Sequence, residues 1–179
     1  YKRPELLAQL LISVQDQDSD TEFTYDVVVV DNDHLRSAEK TVHDFMNRAS
    51  IDVTYYIEPE QNIALARNKA ILNSRGDYVA FIDDDEMPSK SWLLNLHTTL
   101  NRLHVNGVLG PVVPSYEISP PKWVVKGKFY ERPSHETGAV LHWTNTRTGN
   151  VLLKRAIFSS EENMFRPEFG SGGEDRDFF

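Results

Sequence analysis

Three adjacent carboxylates, Asp83, Asp84 and Asp85, stand directly after the apolar run from Tyr78 to Ile82, with Glu86 behind them. Like charges side by side repel, and a plain turn needs only one of them; a solvated acidic turn is the structural alternative. Alternate residues of an extended segment share a face, so Asp83 and Asp85 would point together with Asp84 opposed. Such a pair suits a hard divalent cation, Mg²⁺ or Mn²⁺, which takes oxygen ligands and keeps other positions for water and substrate phosphates. Asp31 closes a second apolar run, Val27 to Val30. Both acidic sites fall just past the ends of buried strands, where open α/β sheets bind ligands. Alone, Asp31 would serve equally well as a turn former or helix cap.

The run Gly170-Ser171-Gly172-Gly173-Glu174-Asp175-Arg176-Asp177 is the other chemical signal. Its glycines permit close backbone approach and strained turns. The carboxylates that follow could simply start a helix, where the dipole favours them. They could also present a base on a glycine hinge beside a substrate. His97 and His104 are expected to be packing or surface residues. His135 and His142 fall in a loop-rich stretch from which a histidine could reach a metal. Trp123, Tyr130 and Trp143 of the same stretch could either stack on a bound ligand or anchor the loop.

These residues need a scaffold that brings strand ends together. Residues 4–15 read as a helix with Pro4 in the first turn and an apolar face of Leu6, Leu7, Leu10, Leu11 and Val14. Residues 26–30 read as a strand buried on both faces. Ser37 is a candidate cap for a helix carrying Val42, Phe45 and Met46. A strand over Val53–Ile57 follows, then a helix capped by Asn62 and closed by Gly76. Tyr78–Ile82 is a third strand, Trp92–Leu103 a helix, Gly107–Val113 a strand, and Asn150–Lys154 a last strand after the loop-rich stretch 114–149. Strand–helix alternation of this kind predicts an α/β fold with a mostly parallel sheet flanked by helices. One domain is expected over 1–179, with one half over 1–113 and a second over 114–179.

Composition narrows the function classes. The 179 residues carry a formal net charge of −8, which argues against a nucleic-acid partner met through a broad basic face. An acidic chain that takes a phosphate-bearing ligand needs local arginines or a cation to offset repulsion. Cysteine is absent, which excludes disulfides, thiolate metal sites and a cysteine nucleophile. No run of about 18 apolar residues is present, and residue 1 opens on a helix-like pattern rather than a leader. The expected location is the cytoplasm, peripheral to the inner face of a membrane in the parent protein.

Four segments in order resemble the family-two glycosyltransferases of bacterial polysaccharide biosynthesis. They are Tyr1-Lys2-Arg3-Pro4-Glu5-Leu6-Leu7 with Val27 to Asn32, Asn62 to Asn68, Gly76 to Asp85, and Gly173-Glu174-Asp175. The resemblance implies a GT-A fold, cropped at both ends. It also implies a nucleotide-diphosphate-sugar donor, inversion at the anomeric carbon and a glycan or lipid-linked acceptor, with 1–113 as the nucleotide-sugar-binding half and 114–179 as the acceptor-side half. By the same resemblance Asp31 meets the nucleoside with Arg67 nearby, and Asp83 or Asp84 reaches the ribose or sugar. Asp85, with Asp83 beside it, would hold Mn²⁺ or Mg²⁺ in a DxD-type motif. Glu174 would orient the acceptor and Asp175 would be the catalytic base. A sugar-1-phosphate nucleotidyltransferase is the rival enzyme, but Tyr1-Lys2-Arg3-Pro4 lacks the glycines its triphosphate loop requires. A non-catalytic nucleotide-sugar or glycan-binding module is the rival outside enzymes.

Overall fold

A computed structural model describes residues 2–116 and 118–179. Helix α1, Pro4–Gln15, has the expected bounds, with Pro4 in its first turn and Leu7, Leu10, Leu11 and Val14 buried. Strand β1, Val27–Asp31, helix α2, Glu39–Met46, and strand β2, Val53–Ile57, follow. β1 and β2 pair in parallel, with Val27 opposite Val53 and Asp31 opposite Ile57. Leu7 and Leu11 pack with Val42, Phe45 and Val53 into one core. Ser37 does not cap α2. The N-cap is Ala38, and its N–H donates to Asp31 Oδ2 at 2.8 Å.

Helix α3, Ile63–Asn73, starts as expected at Asn62, whose side chain accepts from the Leu65 N–H. Its end differs. Ser74 Oγ donates to the Ile71 carbonyl at 2.7 Å, and Gly76 lies outside the helix without a left-handed φ. A hydroxyl thus supplies the stop assigned to the glycine. Strand β3, Tyr78–Phe81, helix α4, Trp92–Leu103, strand β4, Gly107–Leu109, helix α5, Lys122–Gly127, strand β5, Val151–Lys154, and helix α6, Glu174–Phe178, complete the chain. β4 is shorter than expected, and residues 110–113 leave the sheet. His97 packs between the rings of Phe23 and Tyr78, at 5.0 and 5.5 Å, and His104 is the left-handed cap that ends α4.

The parallel pairing expected from the alternation is present in β1–β2. β5 lies between β3 and β4 and runs antiparallel to both. β3 and β4 therefore keep a common direction, and β5 fills the place between them. Trp92, Leu93, Leu96 and Leu100 of α4 cover this sheet through Leu152. A third core joins Ala64 and Ile71 of α3 to Phe165, with Phe81, Phe158 and Phe178 around it.

The long excursion between β4 and β5 leaves and returns at one neck. The Gly110 N–H donates to the Asn150 carbonyl at 2.8 Å, and Asn150 Nδ2 donates to the Pro111 carbonyl at 2.7 Å. Asn150 Oδ1 accepts from Trp92 Nε1 at 2.7 Å, which fixes the neck to α4. Beyond it the chain is loop-rich, as expected, apart from α5 and a 3₁₀ turn over Trp143–Asn145. Among the described residues no helix is long and apolar enough to cross a membrane.

Candidate functional site

Helix α3 organises the site through three polar side chains. Asn62 Nδ2 donates to the Pro167 carbonyl at 3.0 Å, and the Ile63 N–H donates to the Gly170 carbonyl at 3.0 Å. Asn68 imitates a strand partner: its Nδ2 donates to the Phe165 carbonyl at 2.7 Å and its Oδ1 accepts from the Phe165 N–H at 2.9 Å. Arg67 lies on the Phe165 ring, 5.7 Å from its centroid, and pairs with Glu174 Oε1. The same guanidinium reaches Asp83 Oδ1 at 3.7 Å. One arginine therefore touches both the acidic turn and the glycine turn.

Gly173, with φ of +96°, is the N-cap of α6 and sets Glu174 inward and Asp175 beside it. Glu174 is buried, and its Oε2 has no hydrogen-bond partner among the described residues. Asp175 is half-buried, and its Oδ1 accepts from the Arg176 N–H at 2.8 Å. Burial pulls the Arg67 pKa below its ordinary value, against the opposing pull of Asp83 and Asp175. An arginine lowered in this way still carries its charge.

The acidic run is not extended. The Glu86 N–H donates to the Asp83 carbonyl at 3.1 Å, so the chain turns at once after β3. The face-sharing of Asp83 and Asp85 expected of a strand is lost in that turn. Asp84 and Asp85 converge instead on Arg3, with Asp84 Oδ1 at 2.6 Å, while Asp83 faces Arg67. Half of the Asp83 side chain meets solvent, yet desolvation raises its pKa; Arg67 opposes that rise, and Asp85 and Asp84 add to it.

Two residues near this turn carried no signal strong enough to be singled out in the sequence. Gly149 sits where a Cβ would come within 2.9 Å of Glu86 Oε1 and 3.0 Å of Asp83 Oδ2, so only a glycine lets these carboxylates pack there. Arg147 feels both Glu86 and Asp175, and its Nε is buried without a partner among the described residues. The visible clue was an arginine and a glycine just ahead of the apolar run Val151 to Leu153. Burial pushes the Glu86 pKa up to about 7, with the charge of Asp83 adding to it. The folded protein then holds this proton more tightly than the unfolded chain, so stability falls as pH rises from the ordinary glutamate range to about 7. Glu86→Gln should flatten that decline in melting curves recorded in chelator.

Asp31 stands apart from this group. It is buried, and its Oδ2 accepts from the Ala38 N–H and from Tyr55 Oη, each at 2.8 Å. Burial and the Asp31 charge raise the Tyr55 phenol, which keeps its proton and donates. Asn32 links this strand end to α3: its Oδ1 accepts from the Asn62 N–H at 3.0 Å. Asp31→Ala leaves two donors unmatched and is expected to cost about 1–3 kcal/mol of stability, read as a lower urea midpoint. His142 caps the 3₁₀ turn over Trp143–Asn145, its Nδ1 accepting from the Thr144 N–H. Among the described residues no three His, Asp or Glu side chains converge to hold an ion by themselves.

A profile described as glycosyl transferase family 2 matches residues 1–160. The chain belongs to glycosyl transferase family 2. This family-two domain is 38% identical over 183 residues to the succinoglycan biosynthesis protein ExoM of Rhizobium meliloti (strain 1021). The alignment takes in the whole chain and 57% of that relative's length. The domain is also similar in fold to S. aureus TarS 1-349 solved with UDP, with a TM-score of 0.72 and 23% identity over 99% of this chain and 51% of that one. With TarS 1-349 in complex with UDP-GlcNAc the TM-score is 0.68, at 22% identity over 99% and 49% of the two chains. The fold is that of the GT-A glycosyltransferases.

Proposed function

We propose that this domain moves a sugar from a nucleotide-diphosphate-sugar to a hydroxyl of a glycan or lipid-linked acceptor, with metal dependence and inversion. The observation that carries the reading is the double contact of Arg67. It holds the acidic turn and the glycine turn on one guanidinium, so a donor at the first lies beside an acceptor at the second. The relationship to a succinoglycan biosynthesis protein supports polysaccharide assembly, and the UDP and UDP-GlcNAc complexes of TarS support the donor class.

The donor set fits a hard cation. Asp83, Asp84, Asp85 and Glu86 offer only carboxylate oxygens, and burial together with the neighbouring carboxylates raises Asp83 and Glu86, which a cation at the turn would relieve. Asp85, released from Arg3, and Asp83 would hold Mn²⁺ or Mg²⁺, which when bound would offset the charge developing on the leaving diphosphate. Arg67 and Arg147 bring further positive charge to the same side. Asp175 takes the proton of the attacking hydroxyl as it reaches the anomeric carbon from the face opposite the leaving group. Glu174 orients the acceptor, Asp31 contacts the nucleoside and Asp84 the ribose or sugar.

Calorimetry with uridine diphosphate tests the reading. Tight binding is expected with Mn²⁺ and much weaker binding in chelator, and Asp85→Ala should bind weakly in both. Equal affinity of the wild type in Mn²⁺ and chelator would falsify the metal dependence. Pyrophosphate release from a nucleoside triphosphate and a sugar phosphate would replace transfer with nucleotidyl transfer.

A further inference from the structure

The excursion between β4 and β5 carries a surface of different chemistry from the rest of the chain. Residues 122–132 hold four basic residues and one acidic residue, in a protein whose net charge is −8. Val124 is the buried residue of α5. Successive helical residues step by about 100°, so Lys122 and Lys126 occupy the face opposite Val124, flanked by Trp123 on one side and Val125 on the other. Trp123, Phe129 and Tyr130 are 67, 66 and 63% exposed, unusual values for large rings in a folded chain.

The rings are held in place rather than loose. Lys128 ends α5 in a left-handed conformation, φ 50°, and turns Phe129 back over Gly127, where any Cβ would collide with its ring. Phe129 then meets Trp123 edge-on at 5.9 Å, and Tyr130 meets Tyr116 at 6.4 Å. The protein thus spends a glycine and a left-handed residue on keeping two aromatic rings together in solvent.

Lysines at the centre of a face, with the paired rings of Trp123 and Phe129 on one side and Val125 on the other, form the pattern of an interfacial anchor. Amphipathic aromatic rings settle at the headgroup boundary, and lysine stems lie along the apolar layer while their ammonium groups reach phosphate. A neutral sugar would find no use for the lysines, and the acidic remainder of the chain disfavours nucleic acid. The patch also borders the site: Arg132 is near enough to Arg147 for the two guanidiniums to repel. We infer that residues 122–132 dock this domain on an anionic lipid surface, lysines at the headgroup phosphates and the rings of Trp123 and Phe129 at the acyl boundary.

Co-sedimentation of the full-length protein with vesicles tests this. Vesicles of phosphatidylcholine mixed with phosphatidylglycerol should bind it, those of phosphatidylcholine alone should bind far less, and added salt should release it. Lys122→Gln, Lys126→Gln and Lys128→Gln together should weaken binding roughly 100-fold, about fivefold per lysine near an anionic surface. Trp123→Ser with Phe129→Ser should weaken binding to both vesicle types and remove the blue shift of tryptophan emission on binding. All these positions are exposed, so unchanged melting curves establish that each variant folds. Absence of vesicle binding, binding indifferent to phosphatidylglycerol, or lysine and ring variants that bind like the wild type would each overturn the inference, as would a protein partner that occupies the patch in solution.

Discussion

Asp175→Asn in the full-length protein is expected to lower sugar transfer by about 10²–10⁴-fold, the usual contribution of a general base, while leaving nucleoside diphosphate affinity unchanged. Asparagine keeps the shape of the side chain and can still accept from the Arg176 N–H, as Asp175 Oδ1 does at 2.8 Å. It cannot take a proton. The groups proposed for the donor, Asp83 to Asp85, belong to a different turn and are untouched. Glu174→Gln should act otherwise and raise the apparent acceptor KM, because its proposed work is to hold hydroxyls. If both carboxylates only begin α6, each change would cost about 0.3–1 kcal/mol of stability and leave turnover alone. Steady-state transfer at saturating donor decides between the two. An Asp175→Asn enzyme with wild-type turnover removes this residue from the mechanism.

Arg67→Ala is expected to cost about 3–5 kcal/mol of stability, because it strands a buried carboxylate. Glu174 is 4% exposed and already has one oxygen without a partner, so loss of the guanidinium leaves its charge uncompensated. Adding Glu174→Gln to Arg67→Ala should recover part of that loss by removing the stranded charge. The exposed Lys40–Asp44 pair on α2 is the contrast. Lys40→Ala should change stability by no more than about 1 kcal/mol, as surface ion pairs do. Urea unfolding of the single and double variants measures all three. An Arg67→Ala protein as stable as the wild type would mean that Glu174 finds another partner, and α3 would lose its place as the hub of the site.

Elements with local punctuation were legible in the sequence. Pro4 and Asn62 mark the starts of α1 and α3 to the residue, since each signal acts within one turn of its own helix. The antiparallel entry of β5 was not legible. Tyr78 pairs with Lys154 across a long stretch of chain, and nothing local records the direction of such a partner. The site divides in the same way. Asp83, Arg67 and Glu174 were named from sequence and do meet. The expected alternation of Asp83 and Asp85 failed because β3 stops at Phe81 and the next carboxylates fold into a turn closed from the Glu86 N–H to the Asp83 carbonyl. Arg147 and Gly149 went unread because their meaning depends on a contact with Glu86 that only folding creates.

The neck at Gly110 and Asn150 has a consequence for how such a protein can change. Both ends of the excursion are fastened to each other and to Trp92 before the intervening residues contribute anything. Closing a loop already pinned at its base depends only weakly on its length, about 0.6 kcal/mol for each doubling. The stretch between Pro111 and Arg147 can therefore lengthen, shorten or be exchanged as a cassette while β3, β4 and β5 keep their register and Arg147 and Gly149 stay against the acidic turn. Because the neck lies outside α3's grip on Phe165 and Glu174, a graft there could retune what the domain approaches and leave the Arg67 junction where it stands.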